Sequence, residues 1–387
     1  MSFRNSRSTA VVFVTLATFA DLLAYSICVP VLPDFARRLG ASPSTIGLMF
    51  GSFGVTLLAV SVPMGAISDR TGRKLPLVLG MLALAGSTLM FATADSLAML
   101  FAARMVQGAA DGVTWVVGFA LVADRYRPEE RGRVMGYVMS GTSFGIMVGP
   151  SLGGWLYEAG GVALPFQFVS ALALACAAGF AMLQTEPPGD RRAGPSIWSV
   201  IRVPPVAFCA AIVALTAATV AMLEPVLPLF FDRRLGFTPA QIGLLFGIAA
   251  VASTLMPLVY GPMIGRWGAR RLTLAGLVLT AAWMPMMATA SSFPTALVLM
   301  VMQWVAIALI ITPSLAYMAE VTAFAGGDAY GIGYGIYNTA WGVGLLGGPA
   351  LGGWLFERAG FANLAIGWSV AVIVATLAIA GAGSKER

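Results

Sequence analysis

The sequence predicts an all-α membrane protein of twelve transmembrane helices in two parallel six-helix repeats. Three observations predict it. Hydrophobic residues make up 58% of the 387-residue chain and charged residues only 10%, where a soluble domain carries ~25% charged residues. Apolar windows of about 20 residues, the length that crosses the hydrocarbon core, can be placed twelve times. The last six windows also repeat motifs of the first six. Soluble enzymes, extracellular scaffolds and disordered proteins are excluded on composition alone.

Taken in order, the windows of the first half are 10–33, 44–67, 75–94, 97–123, 134–157 and 164–184. Those of the second half are 205–230, 239–264, 271–290, 293–319, 329–356 and 361–382. Barrel strands are about half as long and alternate in polarity, so these windows are helices. The longest polar gap, Gln184 to Pro204, contains Glu186-Pro-Pro-Gly-Asp-Arg-Arg192. It divides the chain into an N-terminal bundle (1–184), a cytoplasmic linker (185–204) and a C-terminal bundle (205–387).

Basic residues set the expected orientation, because cytoplasmic loops are enriched in Lys and Arg. With both termini cytoplasmic, 17 of the 23 positive charges fall on the cytoplasmic side, five on the opposite side and one, Arg104, within a span. The net charge of +6 is therefore a topology signal and not a nucleic-acid footprint. A multi-pass protein of the cell inner (plasma) membrane is expected, working as a monomer in the lipid bilayer.

The halves answer one another. Pro30-Val-Leu-Pro33 returns as Pro225-Val-Leu-Pro228, and Arg37-Arg-Leu-Gly40 returns as Arg233-Arg-Leu-Gly236. Gly149-Pro-Ser-Leu-Gly-Gly-Trp-Leu-Tyr-Glu158 returns as Gly348-Pro-Ala-Leu-Gly-Gly-Trp-Leu-Phe-Glu357. Parallel repeats of this kind are the design of transporters that rock two bundles about a midplane site. No segment reads as the selectivity filter of a channel.

Other chemistry is narrowed by omission. The chain has no histidine, which removes His metal sites, His proton relays and Ser-His-Asp triads. Cys28, Cys176 and Cys209 lie in apolar runs without ligand spacing and read as packing residues. No cofactor, no metal and no enzymatic activity are expected.

Buried charge is the most informative feature. Of the 17 acids, only Asp21, Asp111 and Glu224 fall deep within spans, with Arg104 the one base. An ionisable group there costs at least ~2.5 kcal/mol on insertion scales, so function is its first reading and a polar contact within the bundle its second. A carboxylate facing a cavity can carry a proton or pair with an ammonium group. If both compete for it, their opposite movements are coupled. Arg104 and Asp111, seven residues apart, share a face of span four, as a coupling element or as an ion network that only stabilises the helix.

Gly65-Ala-Ile-Ser-Asp69-Arg70-Thr-Gly72-Arg73-Lys74 lies between spans two and three. Here the sequence resembles the major facilitator superfamily, whose loop signature reads Gly-x-x-x-Asp-Arg-x-Gly-Arg-Lys. The resemblance implies the major facilitator fold and makes Gly65, Asp69, Arg70, Gly72 and Arg73 a cytoplasmic latch; a positive-inside anchor is the plainer alternative. Gly145-Ile-Met-Val-Gly149-Pro150-Ser-Leu-Gly153-Gly154 matches the antiporter signature of the superfamily's drug:proton exchangers. Its small residues at every fourth position equally describe a helix-packing seam. Arg104-Met-Val-Gln107-Gly108 resembles a signature in which the Arg is tied to proton coupling.

Closer still, Asp21 with Val29-Pro-Val-Leu-Pro33, Ala221-Met-Leu-Glu224-Pro225 and Glu130-Arg131-Gly132 is similar to the vesicular amine transporters and their bacterial relatives. That likeness implies amine binding at Asp21, with Glu224 assisting. It departs where those carriers place further acids on spans ten and eleven, since Ala308 and Asn338 stand there. Tyr25, one turn from Asp21, and Tyr334, one turn from Asn338, are the preferred aromatic partners for a cation.

The expected function is a proton-coupled antiporter exporting lipophilic, cationic drugs or amines by alternating access. Asp21, Tyr25, Glu224, Tyr334 and Asn338 bind substrate, and Asp21, Arg104, Asp111 and Glu224 couple protons. The alternative is a proton-coupled importer or facilitator of a neutral small metabolite.

Overall fold

The computed structural model describes residues 7–183, 203–323 and 329–382. The expected linker 185–204 lies almost wholly outside the described residues. Helices dominate the rest: α1 (Arg7–Arg38), α2 (Pro43–Thr71), α3 (Lys74–Ala92), α4 (Leu97–Arg125), α5 (Pro128–Gly160) and α6 (Ala163–Met182). They are followed by α7 (Pro204–Leu235), α8 (Pro239–Leu255), α9 (Pro257–Trp267), α10 (Ala269–Met286), α11 (Phe293–Ala323) and α12 (Ala329–Ala382).

Several helices overrun their apolar windows, because the backbone ladder continues where side chains leave the hydrocarbon. One window is broken: α8 and α9 meet at Met256 with a bend of 41°. Pro257 opens α9, and its missing N–H removes a rung of the ladder. Two other windows run together as α12, interrupted at Gly360, where φ is +73° and helical geometry fails. Gly236 ends α7 in the left-handed conformation, its N–H on the Asp232 carbonyl, an ending that glycine accepts without a Cβ penalty.

Among the described residues nine helices are long and apolar enough to cross a membrane, ten with the bent pair. The break in α12 and the 33-residue α5 account for the remaining two. Large apolar side chains point outward along these helices, among them Trp155, Leu258 and Leu377. Lipid suits such a surface and water does not.

The chain forms two compact units. The first holds residues 1–41, 52–192 and 237–247; the second holds 42–51, 193–236 and 248–387. In the first, α1 packs against α4, α5 and α6, while α3 packs against α4 and α6. In the second, α7 packs on α12, and α10 lies against both α11 and α12.

Candidate functional site

The first unit carries a buried polar cluster between α1 and α4. On α1, Asp21, Tyr25 and Cys28 follow at helical spacing, and on α4 so do Arg104, Gln107, Asp111 and Trp115. Asp21, Arg104 and Gln107 are each 1% exposed and Asp111 6%. The Asp21 and Asp111 carboxyls lie near enough to interact, and the Trp115 indole stands beside Asp111. Ionised carboxylates only accept hydrogen bonds, so two neighbouring carboxyls in an apolar interior can bond to each other only by sharing a proton.

Arg104 lies close enough to act on the Asp111 charge. Its Nη1 donates to Gln107 Oε1 at 2.8 Å. The guanidinium stands 5.4 Å from the Tyr25 ring centre and 4.9 Å from that of Phe53, and these two rings are 5.0 Å apart. Tyr25 is thus a neighbour of the arginine, and Phe53, on α2, is a member that sequence reading missed. Its signal was in α4: a Cβ on Gly108 would lie 2.2 Å from the Phe53 carbonyl oxygen. Only glycine admits α2 so closely. Asp21 Oδ2 and Gln107 Nε2 remain buried without a hydrogen-bond partner.

The Gly145–Gly154 motif seats α5 on the helix that bears Asp21. Cβ atoms on Gly145, Gly149 and Gly153 would lie 2.8 Å from Phe19 O, 1.9 Å from Ser26 Oγ and 3.0 Å from Ile27 Cα. The gap left by the glycines lets Ser26 Oγ donate to the Gly145 carbonyl at 3.1 Å. Pro150 sits inside α5. Gly154 faces elsewhere, toward Pro239 at the start of α8. As packing, the motif fixes where α1, and hence Asp21, stands.

Between α2 and α3, Gly72 turns the chain at a φ of +82°. Arg73, 7% exposed, bonds to Asp69 and Ser68. Its Nε donates to Asp124 Oδ2 of α4 at 3.0 Å. Arg73 is the centre of this knot, while Arg70 is exposed.

The remaining predicted residues belong to the second unit. Glu224 is 8% exposed on α7, directly before Pro225. Asn338 is exposed on α12, and the Tyr334 side chain lies outside the described residues. Tyr337, not singled out as the preferred tyrosine, is 8% exposed and stacks on Trp341 with centres 6.5 Å apart. Gln303, fully buried, has neither amide atom hydrogen-bonded. It stands at the repeat position of Gln107, in Met300-Val-Met-Gln303 against Arg104-Met-Val-Gln107.

A membrane-embedded bundle with paired acids and one arginine in its interior defines a transporter of small molecules. The sequence profile of the Major Facilitator Superfamily matches residues 14–230 and 208–383, and the chain belongs to that family. It is 28% identical to Multidrug resistance protein 2 of Bacillus subtilis (strain 168), over 91% of this chain and 90% of that one. It is 27% identical to the vesicular acetylcholine transporter of Drosophila melanogaster, covering 93% and 69% of the two chains. Among solved structures, a bacterial homolog of the human lysosomal transporter Spinster superposes with a TM-score of 0.80 at 15% identity, covering 97% and 95%. The nucleoside transporter NupG gives 0.78 at 14% identity, covering 96% and 98%. These two likenesses are of fold.

Proposed function

We propose that the chain is a proton-coupled antiporter that exports lipophilic, cationic drugs or amines by alternating access. The observation that carries this reading is the neighbouring pair of buried acids, Asp21 and Asp111. Two carboxyls in contact cannot both hold a charge in an apolar interior, so the pair keeps one proton. An ammonium group entering beside Asp21 supplies the missing positive charge and lets that proton leave. When the cation departs, a proton must return. Opposite fluxes are coupled because proton and cation exclude each other from one carboxyl.

The surroundings fit both states. Trp115 and Arg104 stand beside Asp111, and in this reading Asp21 is the member that exchanges its proton for the cation. The unbonded Oδ2 of Asp21 offers a place for a donor. Tyr25 holds the arginine, and in the second unit Glu224 is the buried acid of α7. Both termini are cytoplasmic in this reading, the membrane is the cell inner membrane, and the unit of function is a monomer. The printed names of the similar proteins, multidrug resistance and vesicular acetylcholine transport, agree with cationic cargo.

The test is dissipation of a pH gradient in proteoliposomes, wild type beside Asp21→Asn, with lipophilic amines, a quaternary ammonium and neutral solutes. Dissipation by the cations that vanishes in the variant supports the reading. A response to a neutral solute and none to cations overturns it in favour of a proton-coupled carrier of neutral metabolites.

A further inference from the structure

The Arg-Arg pair that ends the first helix of each half meets an acid in one half and none in the other. In the first unit Arg37 and Arg38, at the end of α1, both pair with Asp34, at 3.0 and 2.8 Å. Tyr157 of α5 donates its hydroxyl to Asp34 Oδ2 at 2.8 Å, and its ring centre lies 5.6 Å from the Arg38 guanidinium. These cations have their counter-charge within the fold.

The second unit repeats the arginines and drops the partners. Counted back from Arg233-Arg234, Phe230 stands where Asp34 does. In the repeated Gly-Pro segment Phe356 stands for Tyr157, and Arg358 for Ala159. Two polar partners are gone and a third cation is added. Arg234 lies 5.7 Å from the Phe230 ring centre, and its Nη1 donates to the Ala288 carbonyl at 2.7 Å. Arg233 lies 5.6 Å from the ring centre of Phe356, and Arg358 4.6 Å from that of Trp354. A ring face attracts a guanidinium but does not neutralise it.

The acids at this end of the second unit are turned elsewhere. Asp232, two residues from Phe230, projects from the opposite side of α7. Glu357 Oε2 accepts the backbone N–H of Ser44 at 2.8 Å and the Ser42 hydroxyl at 2.9 Å, at the start of α2. The arginine whose charge acts on Glu357 is Arg233. Among the described residues Arg234 and Arg358 have no ion pair.

Both of these arginines are exposed. Leu351 and Trp354, 42% and 43% exposed, share the Arg358 face of α12 at helical spacing. The Phe230 ring under Arg234 stacks on Phe361, three residues beyond Arg358, with centres 4.4 Å apart. One end of the unit thus presents unneutralised guanidinium groups beside an apolar, lipid-facing stripe. A guanidinium fork matches phosphate oxygens, and tryptophan settles at the headgroup level of a bilayer. A phosphate carried on an apolar tail answers both features.

We propose that this end of the second unit binds an anionic phospholipid, its phosphate held by Arg358 and Arg234 and an acyl chain laid along Trp354 and Leu351. Lipid binding to the purified chain in detergent tests it, with phosphatidylglycerol, phosphatidylcholine and inorganic phosphate as probes. Wild type should bind phosphatidylglycerol more tightly than phosphatidylcholine, whose phosphate is already neutralised by its own choline. Inorganic phosphate should not displace the lipid. Arg358→Ala and Arg234→Ala should each weaken phosphatidylglycerol binding about fivefold, and the double variant should lose the preference between the lipids. Arg358→Gln serves where alanine impairs folding. Arg37→Ala/Arg38→Ala, which removes cations already paired with Asp34, should leave binding unchanged. Equal affinity of wild type for the two lipids would overturn the proposal, as would an equal loss in the Arg37/Arg38 variant. Displacement by inorganic phosphate would overturn it too, by marking a site for the free anion.

Discussion

Asp21 on α1 and Asp111 on α4 are neighbours in the interior of the first unit, although 90 residues separate them in the chain. Because two neighbouring carboxylates repel each other in an apolar interior, the two should act as one titrating group. Asp21→Asn and Asp111→Asn should each abolish cation-driven proton movement, and the double variant should be no worse than either single. A double-mutant cycle on the initial rate of pH-gradient dissipation checks this. Additive losses would mean two independent proton sites.

Arg104 balances the charge that this pair leaves. In the second half its repeat position is Met300, fully buried, so a methionine fits such a site sterically. Arg104→Met should nonetheless lower thermal stability, because the carboxyl pair loses its cation, by about 3–5 kcal/mol if the charge stays buried. Adding Asp111→Asn should recover most of that loss. Thermal unfolding in detergent of the single and double variants gives the answer.

Gly149 faces Ser26 with no room for a methyl group, its Cβ lying 1.9 Å from the hydroxyl oxygen. Gly149→Ala should destabilise by about 1–3 kcal/mol, the usual result of overpacking. Ser26→Ala removes the nearest clashing atom, so Ser26→Ala/Gly149→Ala should be more stable than Gly149→Ala alone. Melting temperatures of the three variants decide it.

Arg73 joins α2 to α4 through Asp69, Ser68 and Asp124. Arg73→Lys should fail to replace it, since an ammonium cannot present the planar fork that meets three partners. Both Arg73→Lys and Arg73→Ala should lower stability, by about 1–3 kcal/mol for alanine because the acids are partly exposed. Wild-type melting in Arg73→Lys would show that charge alone suffices.

The Glu357 contact should depend on pH with a definite sign. Its carboxyl is held below the ordinary value in the folded state, so its contribution is present above the unfolded value and is lost as pH falls through the folded one. Acidification should therefore loosen the start of α2. Amide exchange at 42–46, corrected for intrinsic rates, should rise at low pH in wild type and stay flat in Glu357→Gln.

The membrane class, the helical spans and the repeat were legible because each is written in local pattern. Twenty apolar residues in a row have one low-energy fate in lipid, and a repeat is visible wherever Pro30-Val-Leu-Pro33 returns as Pro225-Val-Leu-Pro228. Buried acids stood out because lipid makes them costly. Less legible were the joins and breaks: α8 and α9 were read as one window, and α12 as two. A window average does not register a single proline or the ladder continuing through Trp354 and Phe356.

By itself the sequence determined which residues lie inside and on which face of which helix, since hydrophobicity and the 3.6-residue period fix both. Only the tertiary structure decided who meets whom. That Asp21 touches Asp111, that Phe53 covers Arg104 and that Glu357 grips the start of α2 depends on glycine seams whose matching surfaces lie far away in the chain. Helical period orients a side chain toward a neighbour. Packing chooses the neighbour.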